Sequence, residues 1–104
     1  MLNEIWHRYR KPVFVSETGT EDGARPKWFE YVASETRAAV RSGVPVQGIC
    51  LYPIVNHPGW DDDRHCHNGL WDYADDEGKR EIFAPLARAM ARERVMFGDI
   101  GKVA

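Results

Sequence analysis

Two cysteines, Cys50 and Cys66, are all that the 104 residues contain. That is too few for a disulfide scaffold, so a reduced, cytoplasmic setting is the default expectation. No apolar run approaches the roughly 18 residues of a membrane-spanning helix. Met1 to Arg10 contain Glu4 and no apolar h-region, which excludes a signal peptide in that stretch. No block of five like charges occurs, and 14 basic against 16 acidic residues leave a net charge of -2. The electrostatic footprint of a nucleic-acid binder is therefore missing, and an anionic membrane is not an expected partner. Internal repeats and low-complexity segments are absent too.

What is present is a globular composition, 43% hydrophobic and 29% charged. A chain of this size buries about 65% of its unfolded surface, enough for one modest core. Leu2, Ile5, Trp6 and Tyr9 recur at helical spacing, and Pro12 stops that helix. Val13 to Ser16 is β-branched and aromatic, hence a strand. It runs into a polar, glycine-punctuated loop through Gly23. Pro26 to Ser42 reads as an amphipathic helix, with proline in its first turn and Gly43 just past its end. Val46 to Tyr52 forms a second strand. Residues 53 to 80 make a long connection, with a short extended piece at Gly69 to Tyr73. Glu81 to Phe97 closes with a helix whose early Pro85 is tolerated in the first turns. The expected organisation is one folded segment, 1–97, and a tail, 98–104.

A strand-helix-strand order implies a parallel pair with a crossover, which is an α/β arrangement. Both strands are apolar on both faces, as buried parallel strands are. Two strands are too few for a stable independent sheet. The neighbours must come from more chain or from a second subunit, so a homo-oligomer or a missing N-terminal part is expected.

Glu17 directly follows the first strand, and strict alternation puts it on the side of Val13 and Val15. A carboxylate at the carboxyl end of a parallel strand stands where barrel enzymes carry catalytic groups. The residues from Arg8 to Gly19, Arg-Tyr-Arg-Lys-Pro-Val-Phe-Val-Ser-Glu-Thr-Gly, resemble the segment of family 1 glycoside hydrolases and their (β/α)8 clan that ends helix 6, forms strand 7 and presents the nucleophile. Gly43 to Trp60 is similar to the family's strand 8 and its exit, and Asn68-Gly69-Leu70-Trp71-Asp72 to the segment that follows. Together these matches run over roughly residues 8 to 94.

The resemblance implies two consecutive βα units of a (β/α)8 TIM barrel, the C-terminal quarter, and a β-glucosidase-like retaining hydrolysis of O-glycosidic bonds once the barrel is complete. Glu17 takes the nucleophile position. Tyr52 matches the strand-8 aromatic of the sugar platform, and Trp60 a second aromatic at the rim. Asn56 and His57 replace an Asp-Asn pair of the family, and both belong to the expected substrate-binding set. Gly59 stands where the family has a sugar-binding glutamate, and Pro53 replaces a serine. The partner carboxylate of the clan lies on strand 4, outside this sequence, so the isolated chain is expected to be inactive. A carbohydrate substrate is implied, and no cofactor.

Residues 57 to 67 hold His57, His65, His67, Cys66 and three aspartates, Asp61, Asp62 and Asp63. These are zinc-type donors, but His65 and His67 flank Cys66 too tightly for the usual paired ligands. The stretch reads as a polar loop over the barrel mouth, from which His57 or Arg64 reaches a hydroxyl or an acidic group of the sugar. A metal-binding module on this loop, and a non-catalytic barrel fragment acting in self-assembly or carbohydrate binding, are the alternatives. No metal ligand is assigned. Trp6, Trp28, Phe29, Tyr31 and Phe83 sit at core-facing helical positions and read as packing, as does Trp71.

Overall fold

The computed structural model describes residues 1–60 and 63–103, with side chains described through residue 99. Helix α1 spans Leu2–Tyr9, strand β1 Val13–Thr18, helix α2 Arg25–Arg41, strand β2 Val46–Leu51 and helix α3 Ala84–Val103. A single turn of 3-10 helix, Asp22–Ala24, leads into α2. Helix α1 ends at Arg10, whose N–H still reaches the Trp6 carbonyl at 2.8 Å and whose own backbone is left-handed. Helix α2 carries Pro26 in its first turn, where the missing N–H costs nothing, and is followed by Gly43 at a φ of 98°.

The last helix departs from the expectation at both ends. It starts at Ala84 rather than Glu81, because Ile82 is drawn into an antiparallel bridge with Trp71. It continues to Val103 rather than ending at Phe97. The long connection is also less irregular than its glycines and prolines suggest. Trp71 bridges Val55 on one side and Ile82 on the other, and Pro58 bridges His65.

The two strands pair in parallel as the only sheet among the described residues. Val13 lies opposite Val46, Val15 opposite Ile49 and Thr18 opposite Leu51. That register leaves one extra residue in β2 before Ile49 and one extra in β1 before Thr18. The second irregularity interrupts the strict alternation from which the side of Glu17 is read. An extra residue in one strand shifts every later side chain by one phase. Val13, Val15 and Thr18 are half-buried, whereas Phe14, Ser16 and Glu17 are exposed. Glu17 also lies inside β1 rather than after it.

The core sits on the helical side. Phe29, Ala33, Thr36 and Ala39 are the buried residues at the centre of α2, and Leu86, Ala89 and Glu93 those of α3. Ala33 and Ala89 expose no surface, and such small side chains let two helices pack closely. Leu86, at 1% exposed, contributes about 1.5–3 kcal/mol by its burial. Arg37 forms an ion pair with Glu93 between the two helices, and its guanidinium lies 5.9 Å from the Phe97 ring.

Among the described residues nothing covers the opposite face of the sheet. Phe14 is 56% exposed, and Cys50 is exposed too. The radius of gyration is 15.9 Å, against about 13 Å for a compact domain of this length. The shape is an open wedge, with a sheet face and two strand edges of the kind that buried parallel sheets conceal.

Candidate active site

Glu17, Tyr52, His57 and Trp60 share one hollow of about 560 Å³ at the carboxyl ends of the two strands, with Trp28 and Asn68 completing its wall. That volume lies in the range of small-molecule sites. Backbone geometry joins the two strand exits. The Tyr52 N–H donates to the Thr18 carbonyl at 3.0 Å, which extends the ladder one residue past β2. A Cβ at Gly19 would overlap the Tyr52 carbonyl oxygen, so only glycine lets the chain after Glu17 pass this close.

Tyr52 is 42% exposed, and its ring centroid lies 5.8 Å from that of His57 at a 52° tilt. His57 Nδ1 lies 2.7 Å from the Pro58 carbonyl oxygen. A carbonyl only accepts, so Nδ1 carries the proton and Nε2 of a neutral ring remains as an acceptor. The His57 backbone N–H donates to Asn68 Oδ1 at 3.2 Å. Trp60 is 83% exposed at the rim of the hollow. The Gly59 N–H donates to the Arg64 carbonyl at 2.9 Å, closing the loop that carries it. Asp61 and Asp62, part of the donor-rich stretch in the sequence, lie outside the described residues.

A second tie crosses the mouth. Arg64 donates through both terminal nitrogens to the two Glu21 oxygens at 2.9 and 3.0 Å. The Arg64 hydrogen bond holds the Glu21 carboxyl below its ordinary range. The Asp22 N–H also donates to the His67 carbonyl at 2.7 Å, so the loops leaving β1 and β2 are joined twice.

Asn56 differs from the other expected substrate residues. It is 5% exposed and lies outside the hollow. Its Oδ1 accepts the Gly69 N–H at 2.6 Å, and its Nδ2 donates to Asp72 Oδ1 at 2.9 Å. Arg25, 8% exposed, completes this knot: it donates to the Gly69 carbonyl and to the Asp22 carbonyl, both at 2.7 Å. Its guanidinium carbon lies 3.6 Å from the Phe83 ring centroid. Desolvation lowers the Arg25 pKa. The Tyr73 backbone N–H is the main cause that lowers the Asp72 pKa, with Asn56 contributing.

Trp28 lines the hollow although helical spacing assigns it to the core. It is 40% exposed and donates from Nε1 to Thr18 Oγ1 at 2.9 Å. Tyr31, also expected in the core, is 59% exposed and meets Trp28 at 5.9 Å between ring centroids. Phe29 occupies the buried stripe, and its immediate neighbour cannot share that direction on a helix. Trp71, at 38% exposed, is likewise more open than a core residue.

His65 and His67 set their rings edge-on to Tyr73 at 5.2 and 6.0 Å, and Cys66 is buried. Among the described residues no three His, Cys, Asp or Glu side chains converge as metal ligands do. Nor is any described helix long and apolar enough to cross a membrane.

The fold itself recurs in solved structures. The β-glycosidase of Thermosphaera aggregans superposes with a TM-score of 0.75 at 22% identity, over 89% of this chain and 20% of that one. Fpglu1 of Fervidobacterium pennivoraus gives 0.76 at 22%, over 91% and 21%. The β-glucosidase of Thermotoga maritima, solved in complex with castanospermine, gives 0.72 at 15%, over 88% and 24%. The chain folds as part of a TIM barrel. It spans about a fifth to a quarter of the length of these enzymes. No protein-family profile matches the sequence, and no curated protein does.

Proposed function

We propose that this chain is the C-terminal quarter, strand 7 to helix 8, of a retaining β-glucosidase-like barrel in which Glu17 is the nucleophile. One observation carries the reading. The Glu17 carboxylate, at the carboxyl end of a parallel strand, opens into a hollow walled by Tyr52, His57 and Trp60. Aromatic faces suit the C–H faces of a pyranose, and a carboxylate between them suits an anomeric carbon. The likeness to β-glycosidases over most of the chain supports the same reading.

In that reaction a Glu17 carboxylate oxygen bonds to the anomeric carbon as the bond to the leaving oxygen breaks. A second carboxyl group, about 5–5.5 Å away, gives its proton to the leaving oxygen. The same group then takes a proton from the water that displaces Glu17. Glu21, the other carboxylate lining the hollow, is paired with Arg64 and so is not available for this. The acid therefore comes from the remaining strands, supplied by further chain or by other subunits. The isolated chain is expected to turn over no glycoside. Two free thiols suit a reducing, cytoplasmic setting.

The test is a 2-deoxy-2-fluoroglucoside inactivator applied to the assembled barrel, with peptide mapping of the adduct. Label on Glu17, abolished in Glu17→Gln, is expected; label on another residue refutes the role. A second reading has its own observation. Among the described residues both strands are edge strands and Phe14 and Cys50 are exposed, as in a fragment that assembles with copies of itself. Maleimide labelling of Cys50 separates the two: rapid labelling in a chain that sediments as a monomer removes self-assembly.

A further inference from the structure

We propose that Asn56 is a positioning residue rather than a sugar ligand, tying the loop that bears His57 and Trp60 in register with Glu17 through Gly69 and Asp72. The inference rests on the glycosidase reading for what is positioned, but not for the tie itself.

The carboxamide at position 56 is spent inside the protein. Oδ1 receives the buried Gly69 N–H at 2.6 Å, and Nδ2 reaches Asp72 Oδ1 at 2.9 Å and stands 3.3 Å from His67 Nδ1. The oxygen thus accepts from Gly69 and one amide hydrogen goes to Asp72, while the second amide hydrogen is engaged in the tautomer that leaves His67 Nδ1 as an acceptor. At 5% exposure the side chain has no surface to offer a pyranose. Its own backbone N–H donates to the Trp71 carbonyl at 2.9 Å, so main chain and side chain both fasten the segment 54–57 to the segment 69–72. The carbonyl of Gly69 is held too. Arg25, the first residue of α2, grips the Gly69 carbonyl at 2.7 Å. A Cβ at Gly69 would stand 2.5 Å from the Val55 carbonyl carbon and 2.6 Å from the Asn56 nitrogen, so the two segments touch main chain to main chain. One residue on, the His57 N–H takes Asn68 Oδ1. The place of the His57 ring beside Tyr52 is thus set by a clamp that lies behind the sugar hollow.

The test uses three variants in the assembled protein: Asn56→Ala, Asn56→Asp, and the exchange Asn56→Asp with Asp72→Asn. The first readout is hydrogen exchange of the Gly69 N–H. Asn56→Ala removes its acceptor, and exchange is expected to quicken roughly ten- to a hundredfold. Asn56→Asp sets two carboxylates against each other and also quickens it. The exchange pair restores one donor facing one carboxylate and returns the rate to within about threefold of the parent, which also serves if either single variant fails to fold. The second readout is the rate at which the 2-deoxy-2-fluoroglucoside labels Glu17. It is expected to fall in both single variants and to recover in the pair. Unchanged Gly69 exchange in Asn56→Ala overturns the tie. Exchange restored without restored labelling overturns the positioning role and makes Asn56 a direct ligand. Absence of labelling in the unaltered protein refutes the glycosidase reading alone, and the exchange series still decides the tie.

Discussion

Replacing Gly69 by alanine tests the clamp behind the site without touching a polar group. The new Cβ would meet the Val55 carbonyl carbon at 2.5 Å, the Asn56 nitrogen at 2.6 Å and the Val55 Cα at 2.9 Å. Ordinary contact begins near 3.4 Å, so the closest pair falls short by about 0.9 Å. All three atoms are main chain, and no rotamer change relieves them. Overpacking of this kind costs about 1–3 kcal/mol. Moving the segments apart also lengthens the Asn56–Gly69 and Arg25–Gly69 hydrogen bonds, now 2.6 and 2.7 Å, each worth about 0.5–3 kcal/mol. A loss of about 3 kcal/mol is the central expectation, or a fall in melting temperature of roughly 12–24 °C for a chain this size. The assay is thermal unfolding followed by circular dichroism, with Gly23→Ala as the control. Gly23 has open space around the same added atom, so that change stays within about 0.5 kcal/mol. A melting point for Gly69→Ala within about 3 °C of the parent would refute the reasoning.

Other outcomes follow from the same contacts. Arg25→Lys keeps the charge but cannot serve the Asp22 and Gly69 carbonyls while lying on Phe83, and a loss of about 2–3 kcal/mol in urea unfolding is expected. Glu93→Ala leaves the Arg37 guanidinium buried without its carboxylate and should cost about 3–5 kcal/mol, while Arg37→Met with Glu93→Leu should recover most of it. The Glu21 carboxyl is held below its ordinary range, so the tie to Arg64 is fully present above the ordinary glutamate value and is lost as pH falls through the lowered one. Carbon NMR titration of Glu21 checks the direction, and Arg64→Ala should move its midpoint upward.

Much of the framework is legible residue by residue. Helix α2 follows from an apolar stripe between Pro26 and Gly43, and its ends fall within a residue or two of where those signals put them. The parallel pair follows from two apolar runs separated by that helix. Position at the carboxyl end of β1 is legible for Glu17, because strand direction alone decides it. Its face is not. An extra residue before Thr18 is defined only against the spacing of β2, and one strand read by itself shows plain alternation. Trp28 and Tyr31 fail for a related reason. A stripe wide enough to include them looks like core until the packing partner covers only the Phe29 side.

The sequence by itself determined the order of elements, the polarity of the strands and the carboxylate and aromatics that lie near their ends, since these depend on local propensity and chain direction. Tertiary structure decided which of those side chains meet. Glu17, Tyr52, His57 and Trp60 open into one hollow, while Asn56 turns inward and is consumed by Gly69 and Asp72. Hydrogen-bond partners 13 and 16 residues apart in the chain are fixed by how the connection folds back on itself, and no local pattern encodes that return.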